Sequence, residues 1–312
     1  MKAMVTGGAG FIGSHIVDRL LEDGHEVVVI DDLSTGHRTN LPDHPRLTFV
    51  EADVRDAALV DEHMAGVAWV FHKAAIASVQ KTIEDPVSSA EVNYQGTLNV
   101  LEAARKHSVS KVVFASSAAL YGDEPTLPKQ EAMRPVTLSP YAVDKLASEY
   151  ACTTYTSLYG LNTVCLRYFN VYGPRQDPSS PYSGVISIFN ERLDKRSTPK
   201  VFGDGEQTRD FVYVGDVVEA NMRAVATSDA DGRFMNIATG EQTTLNDLLQ
   251  VLCSIKGLEN QVEYLDRRKG DIRHSFADIS AARSLLGWAP NVDLRTGLQY
   301  LCDSLGESRQ YG

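Results

Sequence analysis

Residues 5–24 read VTGGAGFIGSHIVDRLLEDG, an apolar strand end that runs into glycines at Gly7, Gly10 and Gly13 and from there into a helix. In this GxxGxxG spacing Gly7 permits a tight turn, Gly10 lets the backbone approach a pyrophosphate, and Gly13 lets the helix pack closely on the sheet. The free N–H groups at the helix start then face the diphosphate. A glycine triplet alone is a weak signal; with a strand before it and a helix after it, the segment reads as the first βα turn of a dinucleotide-binding sheet. The second strand, VVVIDDL, ends in Asp31, eighteen residues after Gly13. A carboxylate there accepts both ribose hydroxyls and repels a 2′-phosphate, which favours NAD over NADP. Its neighbour Asp32 reads more simply as a solvated turn. In EADVRD the third strand ends at Asp53 and Val54, where an adenine would lie, and Asp56 has the position of a helix N-cap.

The same alternation continues outward. The runs KAMVT, EVVVID, LTFVEAD, AWVFHKA and KVVFASS are followed by amphipathic stretches at 11–22, 35–41, 56–64, 87–107 and 141–159. Apolar runs bounded by turns read as buried parallel strands, and the stretches between them as crossover helices. The expected fold class is α/β, a doubly wound parallel sheet of the Rossmann type. After LNTVCLRYFNVYG the rhythm breaks at Pro174, Pro178 and Pro181. Residues 1–170 are expected to form the cofactor-binding domain and 171–312 a smaller mixed α/β lobe. That lobe should hold helices near 184–194, 215–228, 244–255 and 293–305 and strands in KVF, RDFVYV and RFMNIA, with pieces between 211 and 237 returning to the first domain.

At 312 residues the chain is long enough for a large core and two lobes. A hydrophobic content of 43% and a charged content of 23% are ordinary for a globular protein, and no apolar stretch approaches a membrane span. The net charge of −11 argues against nucleic acid as a partner, because phosphate backbones need a basic surface. Cys152, Cys165, Cys253 and Cys302 lie far apart without a CxxC pair, so neither a metal site nor a disulfide framework is expected. The chain starts directly with strand and glycine loop, without a signal-like apolar segment, and a cytoplasmic location is expected.

In SPYAVDKLASEY, residues 139–150, Tyr141 precedes Lys145 by one helical turn, so both side chains share a face. The pair reads either as surface side chains lying over the core or as an acid/base couple in which the ammonium lowers the phenol pKa. The fifth strand ends in Ser116 and Ser117, where open α/β sheets bind ligands. Those serines either satisfy loop backbone groups or serve the reaction. Crossover topology brings this strand tip near the start of the Tyr141 helix.

Taken together, the glycine loop, SSAALYG, the YxxxK pair and LRYFNVYGP resemble the extended short-chain dehydrogenase/reductase family, specifically its NAD-dependent nucleotide-sugar epimerases, over nearly the whole chain. The resemblance implies that Tyr141 takes the proton of the sugar 4-hydroxyl while C4 hydride passes to NAD, that the 4-ketosugar rotates, and that hydride returns to its other face. Lys145 then lowers the phenol pKa and binds the nicotinamide ribose, and Ser117 bonds the 4-oxygen. It places Gly7, Gly10, Phe11, Ile12, Gly13, Asp31, Asp32, Leu33, Ser34, Gly36, Asp53, Val54, Ala74, Ala75 and Tyr168 around the cofactor. Asn93 is either a support for the lysine or a packed helix-interior amide. A homodimer through the helices at 87–107 and 141–159 is also implied, although a monomer buries part of the same residues against the sheet.

Family dehydratases follow their serine or threonine with an Asp-Glu pair; Ala118 and Ala119 stand here, which disfavours dehydration. On the substrate side the resemblance implies Ala77, Ser78, Asn170, Gln176, Gly184 and Asp271 as pocket residues. Arg209 and Arg268 are candidates to clamp the diphosphate through forked guanidinium donors, with surface salt bridges as the other reading. Val201 and Phe202 either flank the uracil or belong to a core strand. Ser275 stands where epimerases restricted to plain hexoses carry tyrosine, which opens room for an N-acetyl group. His274 is assigned no chemistry. The leading expectation is a UDP-N-acetylglucosamine 4-epimerase that also accepts UDP-glucose; the others are a UDP-glucose 4-epimerase of relaxed specificity and a non-catalytic NAD-binding regulator.

Overall fold

The computed structural model describes residues 1–176, 184–267 and 272–310. Its centre is a seven-stranded, wholly parallel sheet of β1 (Lys2–Thr6), β2 (Glu26–Asp31), β3 (Leu47–Glu51), β4 (Trp69–His72), β5 (Lys111–Ser117), β6 (Thr163–Tyr168) and a late strand, β11 (Arg233–Ile237). The spatial order is β11-β6-β5-β4-β1-β2-β3. The chain therefore winds outward from β1 in one direction, returns, and winds outward from β4 in the other. The reversal between β1 and β4 opens a crevice at the carboxyl ends of these strands, the place where such sheets take ligands.

One face of the sheet is covered by α1 (Phe11–Glu22) and α8 (Val214–Ala226), whose Ile16, Val17, Leu20, Val217 and Ala224 are buried against Val5, Val29 and Leu166. The other carries α2 (Ala57–His63), α5 (Gly96–Lys106) and α6 (Pro140–Tyr159), with Val100, Leu101 and Cys152 buried against Met4, Ile30 and Phe114. Burial on both faces is why these strands read as continuous apolar runs. The expected helix at 87–107 is instead α4 (Pro86–Ala90), one turn of π-helix (Glu91–Gln95) and α5, preceded by α3 (Val79–Glu84). The helix expected at 35–41 is replaced by a short 3₁₀ turn at Arg38–Asn40, because His37 N–H and the Asn40 side chain bond the carbonyl of Ala9 in the glycine loop.

The remaining elements gather around Phe189, Leu248, Leu252 and Leu298, a separate small core. They are β7 (Asn170–Tyr172), α7 (Val185–Asp194), β8 (Lys200–Phe202), β9 (Thr208–Arg209), β10 (Phe211–Tyr213), β12 (Thr243–Thr244), α9 (Leu245–Lys256), β13 (Glu263–Leu265) and α11 (Leu294–Gln310), whereas α10 (Ser280–Leu286) buries Ala282 and Leu286 in the core of the main sheet beside α8. Of the pieces expected to return to the main sheet, β11 does so as its edge strand, whereas β10 pairs in parallel with β7. Among the described residues no helix is long and apolar enough to cross a membrane, and no group of three or more His, Cys, Asp or Glu side chains is placed to hold a metal.

Candidate active site

The glycine loop follows β1 as its spacing predicts, and Gly7 and Gly13 are sterically required. Gly7 has φ +67°, and a Cβ there would stand 2.6 Å from the Ala74 nitrogen. A Cβ on Gly13 would stand 2.1 Å from the Gly7 carbonyl oxygen. Asp31, at the tip of β2, is 7% exposed, and its two carboxylate oxygens accept the backbone N–H groups of Ala9 and Leu33, each at 2.9 Å. Burial pushes this carboxyl above its ordinary value, and the bonds from Leu33 and Ala9 oppose the shift. Gly36 lies against the same carboxylate, where a Cβ would come within 2.9 Å of Oδ1. Asp32 is a turn residue whose carboxylate accepts the N–H and hydroxyl of Ser34. A glycine cradle at a helix start with a buried carboxylate at the next strand tip fits a dinucleotide with free ribose hydroxyls.

Phe11 and Ile12 form the first turn of α1, and Ala74 and Ala75 follow β4 across the crevice. Val54 is buried beneath Gly96, while the Asp53 carboxylate is engaged by Arg55 at 2.6 Å; burial acts to raise Asp53, and the Arg55 bonds outweigh it and hold it below the usual range. Asp56 caps α2 through the Leu59 N–H at 3.1 Å, as expected.

At the other end of the crevice α6 begins on Ser139, whose hydroxyl accepts the Ala142 N–H at 3.2 Å, with Pro140 in the first turn. This start directs Tyr141 toward the tip of β5, where its hydroxyl faces Ser117. Lys145 is buried; its Nζ donates to the Ala115 carbonyl at 2.8 Å and lies 5.8 Å from the Tyr141 ring centroid. Burial pushes the Tyr141 hydroxyl above its ordinary value and the Ser117 hydroxyl opposes it. The lowering of this phenol by Lys145 expected from the spacing is therefore not present in the chain by itself: desolvation wins. Asn93, in the π turn, is fully enclosed; its Oδ1 accepts the Ile76 N–H at 2.8 Å and its Nδ2 donates toward Asp144, the neighbour of Lys145, at 3.4 Å. Asn93 is thus a packed amide in the interior, bonded to the neighbour of Lys145. Ala77 and Ser78 lead into α3, with Ser78 capping Lys81 N–H.

Burial pulls Lys145 down to about 8, against the opposing charge of Asp144. Activity is expected to fall as pH rises through about 8, when the ammonium is lost. The stability contribution has the opposite sign: between about 8 and the ordinary lysine value of 10.5 the unfolded chain binds the proton and the folded chain does not, so this group makes stability rise with pH. A kcat/KM profile measured beside a thermal-melt profile checks both signs; an activity limb at the ordinary lysine value contradicts the assignment.

Sequence reading missed Lys73. It stands one residue beyond β4, and its Nζ donates to the Val113 carbonyl at 3.2 Å and the Tyr168 hydroxyl at 3.1 Å. Burial and the charge of Lys145 hold it well below the ordinary lysine value. Tyr168 in turn donates to Asn221 Oδ1 at 3.0 Å, so its hydroxyl is directed toward α8. Nothing in AWVFHKA marks this lysine, because its partners come from neighbouring strands. The adjacent His72 is sealed between the hydroxyls of Thr6 and Thr97 and pushed by burial down to about 3, which makes it a neutral structural histidine.

The substrate side is assembled from the smaller lobe. Asn170 opens β7 with an exposed side chain, and its N–H bonds Asp210. Gln176 is anchored by the Val171 carbonyl and the Ser187 hydroxyl, and a Cβ on Gly184 would approach its Nε2 to 3.2 Å. Ser275 is half-buried, and its N–H donates to the Thr208 carbonyl at 3.2 Å, which sets it beside Arg209 on β9. Arg209 Nη1 bonds the Thr208 carbonyl at 2.8 Å. Val201 is 1% exposed within the lobe core, so its side chain belongs to the core strand and does not flank a base. Phe202 lines a small cavity with Gly203, Gln207, Arg267, Ile272 and Arg273. His274 is engaged by Thr208, in keeping with a structural role. Arg268 and Asp271 lie outside the described residues.

A parallel sheet with a glycine cradle at its first turn, a ribose-type carboxylate at its second strand, and a Ser-Tyr-Lys constellation at the far end defines an NAD-dependent oxidoreductase-type enzyme. The chain belongs to the NAD dependent epimerase/dehydratase family, whose model matches residues 3–238. It is 43% identical over 305 residues to a UDP-glucose 4-epimerase of Mycolicibacterium smegmatis, covering 96% of each chain. A solved UDP-glucose 4-epimerase of Thermotoga maritima with UDP-glucose superposes with a TM-score of 0.94 at 40% identity, over 99% of this chain and 100% of that one. A UDP-N-acetylglucosamine 4-epimerase of Methanobrevibacter ruminantium, in complex with UDP-N-acetylmuramic acid, superposes with a TM-score of 0.94 at 37% identity, over 98% of each chain. The cofactor is NAD, and the chemistry is that of the UDP-sugar 4-epimerases.

Proposed function

We propose that the chain interconverts UDP-N-acetylglucosamine and UDP-N-acetylgalactosamine and also accepts UDP-glucose and UDP-galactose, working in the cytoplasm. The observation that carries the N-acetyl preference is the serine at position 275, half-buried beside Arg209. A small side chain there leaves room for an acetamido group, whereas a bulky one excludes it sterically. An open pocket rejects the smaller hexose only through lost contacts, about 1 to 3 kcal/mol, which is why both sugars are taken.

NAD, when bound, supplies the hydride acceptor and a positively charged nicotinamide ring. Tyr141 is the base for the sugar 4-hydroxyl, and Ser117, facing that phenol, holds the 4-oxygen and relays its proton. Lys145 holds a positive charge near the phenol and fixes its own head on Ala115. Arg209 holds the diphosphate.

Replacement of Ser275 by tyrosine is expected to lower kcat/KM on UDP-N-acetylglucosamine about a hundredfold and on UDP-glucose less than about fivefold, in line with pocket discrimination of one small group. An equal loss on both sugars refutes the gate. A UDP-glucose 4-epimerase with relaxed specificity is the second reading, favoured by the name of the relative at 43% identity, and the ratio of kcat/KM on the two sugars in the parent protein decides between them.

We propose a homodimer as the working form. Val143, Tyr150 and Leu158 along α6 and Val87 on α4 are exposed, an apolar stripe on the outer helices. Sedimentation of the parent as a dimer and of Leu158→Glu as a monomer is expected; a monomeric parent contradicts the assignment.

A further inference from the structure

Three motifs carry further polar residues that the proposed chemistry leaves unused. SSAALYG brings Ser116 and Tyr121 along with Ser117, SPYAVDKLASEY brings Glu149 along with Tyr141 and Lys145, and LRYFNVYGP brings Arg167. The fold collects these residues into one cluster behind the reacting groups. Arg167 Nε and Nη2 donate to the two carboxylate oxygens of Glu149, each at 2.8 Å, and the Ser116 hydroxyl donates to Oε1 at 2.5 Å. Arg167 Nη1 donates to the Tyr121 hydroxyl at 2.9 Å, and that hydroxyl donates to Asn236 Oδ1 at 2.6 Å. The Arg167 and Glu149 side chains are 2% and 0% exposed.

A fully buried ion pair is a poor source of net stability, because desolvation offsets most of the attraction. A fully satisfied buried network instead fixes geometry. Glu149 lies one turn after Lys145 on α6, Ser116 immediately precedes Ser117, and Tyr121 closes the turn that follows. The cluster ties α6 to the tip of β5, the two elements whose relative position sets the Tyr141–Ser117 contact. On its far side Asn236 Nδ2 donates to the carbonyls of Lys129 and Asp278 at 3.0 and 3.1 Å. Lys129 N–H donates to the Phe276 carbonyl at 2.8 Å, one residue from Ser275.

We propose that Glu149, Arg167 and Tyr121 are positioning residues, a buried clamp that holds Ser117, Tyr141 and Lys145 in register with the pocket wall at Ser275. None of the three touches the reacting atoms in this account; they act through α6 and the tip of β5. The kinetic part of the test rests on the epimerase reading.

Tyr121→Phe keeps the ring and removes only the hydroxyl between Arg167 and Asn236. Glu149→Leu combined with Arg167→Met replaces the ion pair by apolar groups, an exchange that buried pairs often tolerate without loss of stability. Both variants, loaded with NAD, are expected to show kcat on the UDP-sugar lowered about tenfold or more with KM changed less than about threefold, since small misplacements of reacting groups are expensive in rate. The backbone amides of 115–117 and 141–145 are expected to exchange hydrogen about tenfold faster than in the parent, as local opening becomes easier. Unchanged exchange in Tyr121→Phe overturns the clamp, as does faster exchange with unchanged kcat. The exchange measurement needs no substrate, so if the parent turns over no UDP-sugar it decides alone; if the double variant does not fold, Tyr121→Phe decides.

Discussion

Tyr141→Phe is expected to lower turnover of UDP-sugars by about 10³-fold while NAD remains bound, within the range of about 10² to 10⁴ that a positioned acid/base group contributes. The substitution removes one oxygen and leaves the ring, so α6 keeps its start: the Ser139 cap, Pro140 and the bond from the Tyr141 N–H to the Thr82 hydroxyl are all outside the phenol. What disappears is the proton-accepting oxygen beside Ser117. Single-turnover and steady-state rates, with bound NAD measured after release from the denatured protein, check both halves. Normal turnover in this variant removes Tyr141 from the mechanism, whereas loss of NAD together with activity turns it into a binding residue.

Gly13→Ala carries the second large effect, and its sign reverses the usual rule. In a helix interior alanine is favoured over glycine by about 1 kcal/mol. At position 13 the added methyl would meet the Gly7 carbonyl oxygen at 2.1 Å and the Gly8 Cα at 2.9 Å, both backbone atoms that no rotamer change can move aside. The helix start must therefore lift from the loop, at an overpacking cost of about 1 to 3 kcal/mol that falls on the surface meant for the diphosphate. NAD affinity is expected to drop about a hundredfold, the size of that displacement at about 1.4 kcal/mol per factor of ten. Fluorescence titration with NADH and a thermal melt measure the two consequences. A variant that melts higher and binds normally shows that α1 does not need its close approach.

Much of this site was legible because its physics is local. Gly13 and Asp56 act through contacts within one turn or one helical start, Gly7 and Asp31 stand at strand ends in a spacing that the βα unit dictates, and Tyr141 and Lys145 share one helix face. What was not legible depends on which strands become neighbours. Lys73 sits in an apolar run like any half-buried residue until the β4-β5-β6 order puts Val113 and Tyr168 within reach of its head. The π turn at 91–95 looks like uninterrupted helix in sequence, yet it delivers the Asn93 amide to the backbone of Ile76. The stretch 35–41 has a helical pattern but is drawn over the glycine loop by bonds to Ala9. Val201 shows the reverse case: the sequence leaves it open between flanking a base and belonging to a core strand, and packing against the lobe core decides for the strand. Spacing also says nothing of the desolvation that pushes the Tyr141 phenol up, because that depends on what the fold packs around it.

The most direct test of the account is to incubate the purified protein with UDP-N-acetylglucosamine, without any added redox partner, and to follow the anomeric proton signals by NMR. Growth of a UDP-N-acetylgalactosamine signal to a stable ratio, with no net NADH formed, is the predicted result. Conversion of UDP-glucose alone contradicts the role given to Ser275, and no conversion of either sugar contradicts the assignment of Tyr141, Ser117 and Lys145 to 4-epimerisation.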